Sequence, residues 1–379
     1  MASRGFASQG LPPPAAGMDL SVFPASYAQA RQRFLAAARR AGPPVESWPH
    51  PLAGPEGEAL AIDTCRIGPP GASRVLVVQS ALHGVEGFAG SAVQADLLAL
   101  LSAGQLPPGV ALVLVHAVNP WGFAWLRRTN EAGVDLNRNA VDFCEPLPAN
   151  AGYDELADAL VPAGDDPATL AAADAKLDAW RAAHGQEAFD LAVTAGQYRH
   201  PEGLFYGGSV TSWSLDRLRD IVGLYALAEC EQVAIVDVHT GLGPYGHGEV
   251  ICDHPPGSEG VRIARRFYGE SVTEPLLGTS SSPPKHGLVD FFWHRTLPDR
   301  CCFVTLEFGT YPLPLMFPVL RDDHMLHARG IVDWQDGKTR RIKSALRNHF
   351  YPAFTDWQQT VQFRSRQVVL QALAGLAIR

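Results

Sequence analysis

The chain predicts an α/β fold, a three-layer sandwich built on a mixed, mostly parallel central sheet. Two observations carry that expectation. Four short apolar runs, Val75–Ser80, Ala111–Val118, Val233–Val238 and Cys302–Phe308, are rich in Val, Leu, Ile and Phe, as strands covered on both faces must be. Between them lie stretches with helical character, Ala89–Ala103, Ala168–Ala183 and Ser214–Ala228, and strands alternating with helices define the α/β class.

Taken in order, residues 1–17 (MASRGFASQGLPPPAAG) offer almost nothing to bury and read as a flexible leader. Ser26–Ala41 reads as a first helix, with Tyr27, Ala30, Phe34 and Ala37 at helical spacing. The Ala/Asp/Pro-rich stretch at about 145–230 contains the break Pro162–Asp166. It reads as an insertion in a single domain over 18–379, because residues that could share one site lie on both sides of it.

Composition narrows the function. Hydrophobic residues make up 46% and charged residues 18% of the chain, a balance that fits a packed globular enzyme and excludes a disordered one. A net charge of −8 leaves no electrostatic footprint for nucleic acid or an anionic membrane. No run approaches the roughly 18 apolar residues of a membrane span, and there is no signal-peptide pattern, so a cytoplasmic location is expected. None of the six cysteines forms a C-x-x-C pair; adjacent Cys301 and Cys302 read as buried thiols.

The densest chemistry follows the first strand, in VLVVQSALHGVEGFAG, where His83 and Glu86 are spaced H-x-x-E. The carboxyl end of a buried strand is where open α/β sheets place their ligands, and one turn lets an imidazole and a carboxylate converge on a cation. Alone this spacing is weak. The third strand, VAIVDVHTGLG, also ends in a histidine, His239. Two imidazoles and one carboxylate suit one Zn²⁺ per chain and leave a fourth position open, the pattern of a catalytic rather than a structural site.

The fourth strand, CCFVTLEFGTY, carries Glu307 among Val, Leu and Phe. A carboxylate is rarely placed there without a task, and it reads as a general acid/base for a metal-assisted hydrolysis. After the second strand, NPWGFAWLRRTNEAGVDLNRN supplies Arg127, Arg128, Asn137 and Arg138, donors able to grip a substrate carboxylate.

Two motifs are set aside. Gly241–Gly246 spells G-x-G-x-x-G, but Pro244 interrupts it and the following His247–Cys252 looks like another strand rather than a helix. His324 and His327, spaced H-x-x-H among Arg and Asp, read as a solvated helix face. No G-x-S-x-G elbow is present, which argues against a serine hydrolase.

Taken together, H-x-x-E, N-P-x-G, V-D-L-N-R-N, the strand-end histidine and L-E-F-G resemble the zinc carboxypeptidase superfamily, that of carboxypeptidase A. HGVEGFAGSAVQ, GQYRHPEGLFYGG and HTGLGPYGHGE are similar to its bacterial metallopeptidase-like branch. The likeness spans about Val75 to Tyr311. It implies a carboxypeptidase-like fold, zinc on His83, Glu86 and His239, and Glu307 as general acid/base. Asn137 and Arg138 would hold a substrate carboxylate, and Asp135 would orient His83. For the oxyanion it implies an arginine, Arg128 or Arg127, although the alignment also brings Asn130 to that place; Arg128 is preferred. The tyrosine of the family's mobile loop has no counterpart in SSSPPKHGLVDFFWH, where Lys285 or His286 stands instead. The implied substrate is a peptide or an N-acyl amino acid with a free carboxylate. A carboxypeptidase-like enzyme, an N-acyl amino acid deacylase on the same site and a non-catalytic binding protein are the three readings carried forward.

Overall fold

The computed structural model describes residues 11–13, 17–101, 105–330 and 332–378. Residues 1–10 and 14–16 of the expected leader, and the end of the helix expected to reach Ala103, lie outside the described residues.

The chain opens with α1 (Tyr27–Ala41), capped by Ser26 Oγ, which accepts from Gln29 N at 3.2 Å, and closed at Gly42 in the left-handed region (φ 94°). Then come β1 (Val45–Ala53), β2 (Ala59–Ile67), β3 (Arg74–Ser80), α2 (Gly87–Leu100), β4 (Val110–His116) and the short α3 (Pro120–Ala124). Four helices follow: α4 (Ala151–Leu160), α5 (Pro167–His184), α6 (Gln186–Thr194) and α7 (Trp213–Leu224). Next are β5 (Gln232–Gly241), β6 (Gly248–Ile251), α8 (Glu259–Tyr268), β7 (Val272–Thr273), α9 (Val289–Thr296) and β8 (Cys301–Gly309). The chain ends with α10 (Met316–Ala328), α11 (Gly337–Phe350) and α12 (Thr355–Ala377). The strand expected after Gly246 is β6.

All eight strands form one mixed sheet in the order β1-β2-β4-β3-β5-β8-β6-β7. Its centre, β4-β3-β5-β8, is parallel. Alternate residues of these strands feed two cores, because successive side chains leave a strand on opposite faces. Leu76, Val78, Leu112, Val236 and Val304 pack with α1, α2, α8 and α12; Val75, Val77, Val113, Ile235 and Phe303 pack with α7 and α9. This is the three-layer, mostly parallel arrangement expected from the sequence. No described helix is long and apolar enough to cross a membrane.

A third cluster lies apart from the sheet. Tyr153, Leu156, Leu177 and Phe189 of α4–α6 pack with Leu320, Leu346 and Phe350 of α10 and α11, and Val85 joins them. The stretch read as one insertion thus behaves as two parts: α4–α6 build this cluster, whereas Leu215, Leu218 and Ile221 of α7 pack on the sheet itself. His324 and His327 do not form the solvated face expected. His324 is buried and His327 half-buried, the first turned to the Glu202 carbonyl and the second to Lys343 of α11, which lies against α10.

Strand order fixes where a ligand can sit. β3 is flanked by β4 on one side and β5 on the other, and a reversal of this kind opens a crevice beyond the carboxyl ends of the strands. The turn after β3 and the ends of β5 and β8 meet there, with His239 in register with Glu307.

Candidate metal centre

The H-x-x-E motif occupies a tight turn. After β3 the chain forms a single 3-10 turn, Gly84–Glu86, closed by Glu86 N donating to the His83 carbonyl at 3.1 Å. A side chain at Gly84 would run into the backbone of Gly122 and Phe123, so only glycine lets the turn lie against α3. The turn is also pinned from outside. Gly84 N donates to the Arg128 carbonyl at 3.2 Å and Val85 N to the Arg127 carbonyl at 2.8 Å.

The turn and β5 bring three donors together. His83 Nδ1 lies 2.9 Å from Glu86 Oε1, His239 Nδ1 lies 3.0 Å from Glu86 Oε2, and the two Nδ1 atoms are 3.2 Å apart. One ligand atom from each residue can be chosen so that all lie within 4.8 Å of one another. Each ring turns its other nitrogen to a carboxylate: His83 Nε2 to Asp135 Oδ1 at 3.1 Å, and His239 Nε2 to Asp237 Oδ2 at 2.7 Å. With Nε2–H donated outward, both Nδ1 atoms present lone pairs inward, toward each other and toward a carboxylate. Such a meeting of lone pairs is satisfied by a cation, and the donor set fits zinc. Without one, the charge must come from protons. Burial opposes a charged His239, yet Asp237 and Glu86 more than offset it and hold its pKa well above the imidazole range. Burial likewise opposes an ionised Glu86, but His83 and His239 outweigh it and hold the carboxyl well below its ordinary value.

Glu307 enters from the neighbouring strand. Its Oε1 accepts from Leu242 N at 2.9 Å. Burial, reinforced by the Glu86 charge, raises its carboxyl to about 7 against the opposing pull of His239 and Arg128.

The arginines separate into distinct settings. Arg128 is half-buried and spans the site, donating from Nη1 to Glu86 Oε1 and from Nε to Asp135 Oδ2, each at 3.0 Å. Arg127, expected to bind substrate, is instead buried and donates to Asp323 Oδ2 at 2.9 Å; adjacent residues of the same loop face opposite ways. Arg138 is fully buried, with Nε and Nη2 on the Thr194 carbonyl and Nη1 on the Asn137 carbonyl. Asn137 Oδ1 accepts from Val289 N at 2.9 Å. The Phe205 ring lies 5.4 Å from both the Arg128 and Arg138 guanidinium carbons, a cation–π arrangement that joins them. Asn130 spends its Oδ1 on Ala132 N and Val134 N.

On the loop before α9, Lys285 Nζ donates to Ser282 Oγ and to the Pro283 carbonyl. Burial, with Arg138 beside it, lowers its pKa to about 7. His286 is exposed and bonds through its backbone N to the Ala195 carbonyl at 3.1 Å. Two contacts escaped the sequence reading. Asp237 left a signal, D-x-H on one face of a strand, that was masked by the apolar run around it. Phe205 left none beyond its place in GLFYGG.

Fold and site together define a mixed α/β protein with a buried histidine–carboxylate group able to hold a metal ion. A family model described as "Protein of unknown function (DUF2817)" matches residues 23–364, and the chain belongs to that family. No curated protein matches the chain. Among solved structures, it is similar to the carboxypeptidase A from Helicoverpa armigera, at 16% identity over 92% of this chain and 74% of that one, with a TM-score of 0.46. It is also similar to an aspartoacylase family protein from Mesorhizobium loti (16% identity, 77% and 68% covered, TM-score 0.38). A third is a metallo-carboxypeptidase from Burkholderia cenocepacia (14% identity, 93% and 70% covered, TM-score 0.39). The functional reading therefore rests on the geometry of the site.

Proposed function

We propose that the protein is a zinc-dependent hydrolase that cleaves an amide bond next to a carboxylate. The observation that carries this reading is the convergence of His83 Nδ1, His239 Nδ1 and the Glu86 carboxylate beside a buried glutamate, Glu307, that no ion pair neutralises among the described residues. His83, Glu86 and His239 would hold the metal, which when bound supplies Lewis acidity for attack of water on a carbonyl.

The chain's own residues do the rest. Glu307 takes the proton of the attacking water and hands it to the leaving amine, work for which a carboxyl raised toward neutrality is suited. The Arg128 guanidinium, fixed by Glu86 and Asp135, offers its remaining N–H groups to the oxygen on which negative charge develops. Asp135 and Asp237 hold the two imidazoles in the tautomer that turns Nδ1 inward. Asn137 and Arg138 are the candidate anchors for the substrate carboxylate. Arg128 and Arg138 flank one ring, Phe205, and Lys285 feels the positive charge of both, so an anion bound among them would relieve their mutual repulsion.

The test is a panel of dipeptides and N-acyl amino acids, each paired with its carboxyl-amidated form, offered to the zinc-loaded protein. Cleavage of free acids with loss of activity on the amides is expected. Turnover confined to N-acyl amino acids would move the assignment to a deacylase, and equal turnover of the amides would remove the carboxylate requirement.

A further inference from the structure

Behind the metal-binding turn lies a second buried charge cluster with no part in the proposed reaction. Asp323 on α10 accepts from Arg127 Nε at 2.9 Å and from Lys343 Nζ, on α11, at 2.6 Å. Lys343 Nζ also donates to His327 Nε2 at 2.7 Å. Asp323, Arg127 and Lys343 are 1%, 4% and 0% exposed. Charges buried this completely are a poor route to stability, since apolar side chains of like volume would serve as well. What the cluster holds is therefore the question.

It holds the Arg127–Arg128 dipeptide, and this dipeptide grips the metal-binding turn twice over. The Arg127 and Arg128 carbonyls receive Val85 N and Gly84 N, the two residues lying between His83 and Glu86. The Arg128 side chain then clamps Glu86 and, through Asp135, His83. Arg127 points the other way, into Asp323. His239 meets Glu86 at 3.0 Å but takes its own support from Asp237 within its strand rather than from the dipeptide.

We infer that Asp323, gripped by Lys343, is a positioning residue that sets His83 and Glu86 for the metal by anchoring Arg127. It touches neither metal nor substrate. The inference rests on the reading of His83, Glu86 and His239 as metal ligands, and it ties α10 and α11 to two of the three.

The test compares two buried pairs in the full chain. Asp96 and Arg366, 2.6 Å apart and similarly excluded from solvent, link α2 to α12, and among the described residues their hydrogen bonds run to each other, to Gln362 and to Gly17 rather than to the turn. Asp323→Asn and Asp96→Asn are each loaded with zinc and challenged with excess chelator, and the visible bands of the Co²⁺-substituted proteins are recorded. Asp323→Asn should release zinc about tenfold faster than wild type, the low end of what losing outer support costs a metal site, with altered cobalt bands. Asp96→Asn should match wild type in both. Release at the wild-type rate from Asp323→Asn, or equal acceleration in both variants, overturns the positioning role. Should Asp323→Asn fail to fold, Lys343→Met replaces it; faster release that Lys343→Arg restores supports the role, and wild-type release from Lys343→Met overturns it. A wild-type protein that binds neither zinc nor cobalt overturns the metal reading, and this inference with it, before any variant is made.

Discussion

On either side of the Arg127–Arg128 dipeptide sit two buried charge clusters built on opposite terms. Around Asp323 each charge closes on an opposite partner: one carboxylate lies between a guanidinium and an ammonium. Around His83 and His239 they do not close. Glu86, Asp135, Asp237 and Glu307 gather there, and among the described residues Arg128 is the one guanidinium that ion-pairs with any of them, with two imidazole lone pairs turned inward. A buried excess of negative charge and lone pairs is costly unless a cation joins it. The difference teaches that burial alone marks neither cluster as functional; the unmatched balance of donors and acceptors does.

Substitutions sharpen that contrast, beginning with the group that only chemistry requires. Glu307→Gln keeps the shape and the acceptor for Leu242 N, so zinc content should stay at wild-type level while kcat falls about 10³-fold, within the range for removing a general base. The same variant reports on pH. Glu307 must be ionised to accept a proton, and burial with Glu86 raises its carboxyl to about 7, so kcat/KM of the wild type should rise with pH through an acidic limb. A bound dication would draw that limb below pH 7. The limb should vanish in the Gln variant; an unchanged limb would reassign the base.

Arg128→Gln should come next, with kcat down about 10²-fold, as for loss of one donor to a developing oxyanion. Its KM should move less, since binding the ground state relies on other groups. A change confined to KM would instead make Arg128 a substrate-binding residue, and single-turnover kinetics separates the two.

How much of this was legible in the sequence depended on whether the signal was local. β3, β4, β5 and β8 stood out because both faces of the parallel centre are covered, which demands continuous apolar runs. β1 and β2 did not. β1 carries Pro49 and Pro51 on an edge and is largely exposed, while β2 buries Asp63 and Thr64, polar residues satisfied by Arg31, Ser47 and Tyr225 from elsewhere in the chain. His83, Glu86, His239 and Glu307 could be gathered from strand ends alone, because sheet topology brings those ends to one edge. Arg127 could not be told from Arg128, nor His324 and His327 from surface histidines. Arg127 meets Asp323, His327 meets Lys343 and His324 meets the Glu202 carbonyl, partners from distant segments whose packing no local spacing encodes.

The smallest predicted effect separates the two carboxylates behind the histidines. Asp135 has three partners, His83 Nε2, Arg128 Nε and Asn137 N. Asp237 has one, His239 Nε2, and its Oδ1 is buried without a hydrogen-bond partner among the described residues. Asp237→Asn can still accept from His239 Nε2–H, so the variant removes charge while keeping the tautomer. Zinc affinity, measured against a competing chelator, should weaken about tenfold. Asp135→Asn should weaken it further, because the same change releases Arg128 from the turn that carries both His83 and Glu86. If the two variants lose affinity equally, the support of His83 and that of His239 are equivalent, and the unequal wiring of the two histidines has no energetic weight.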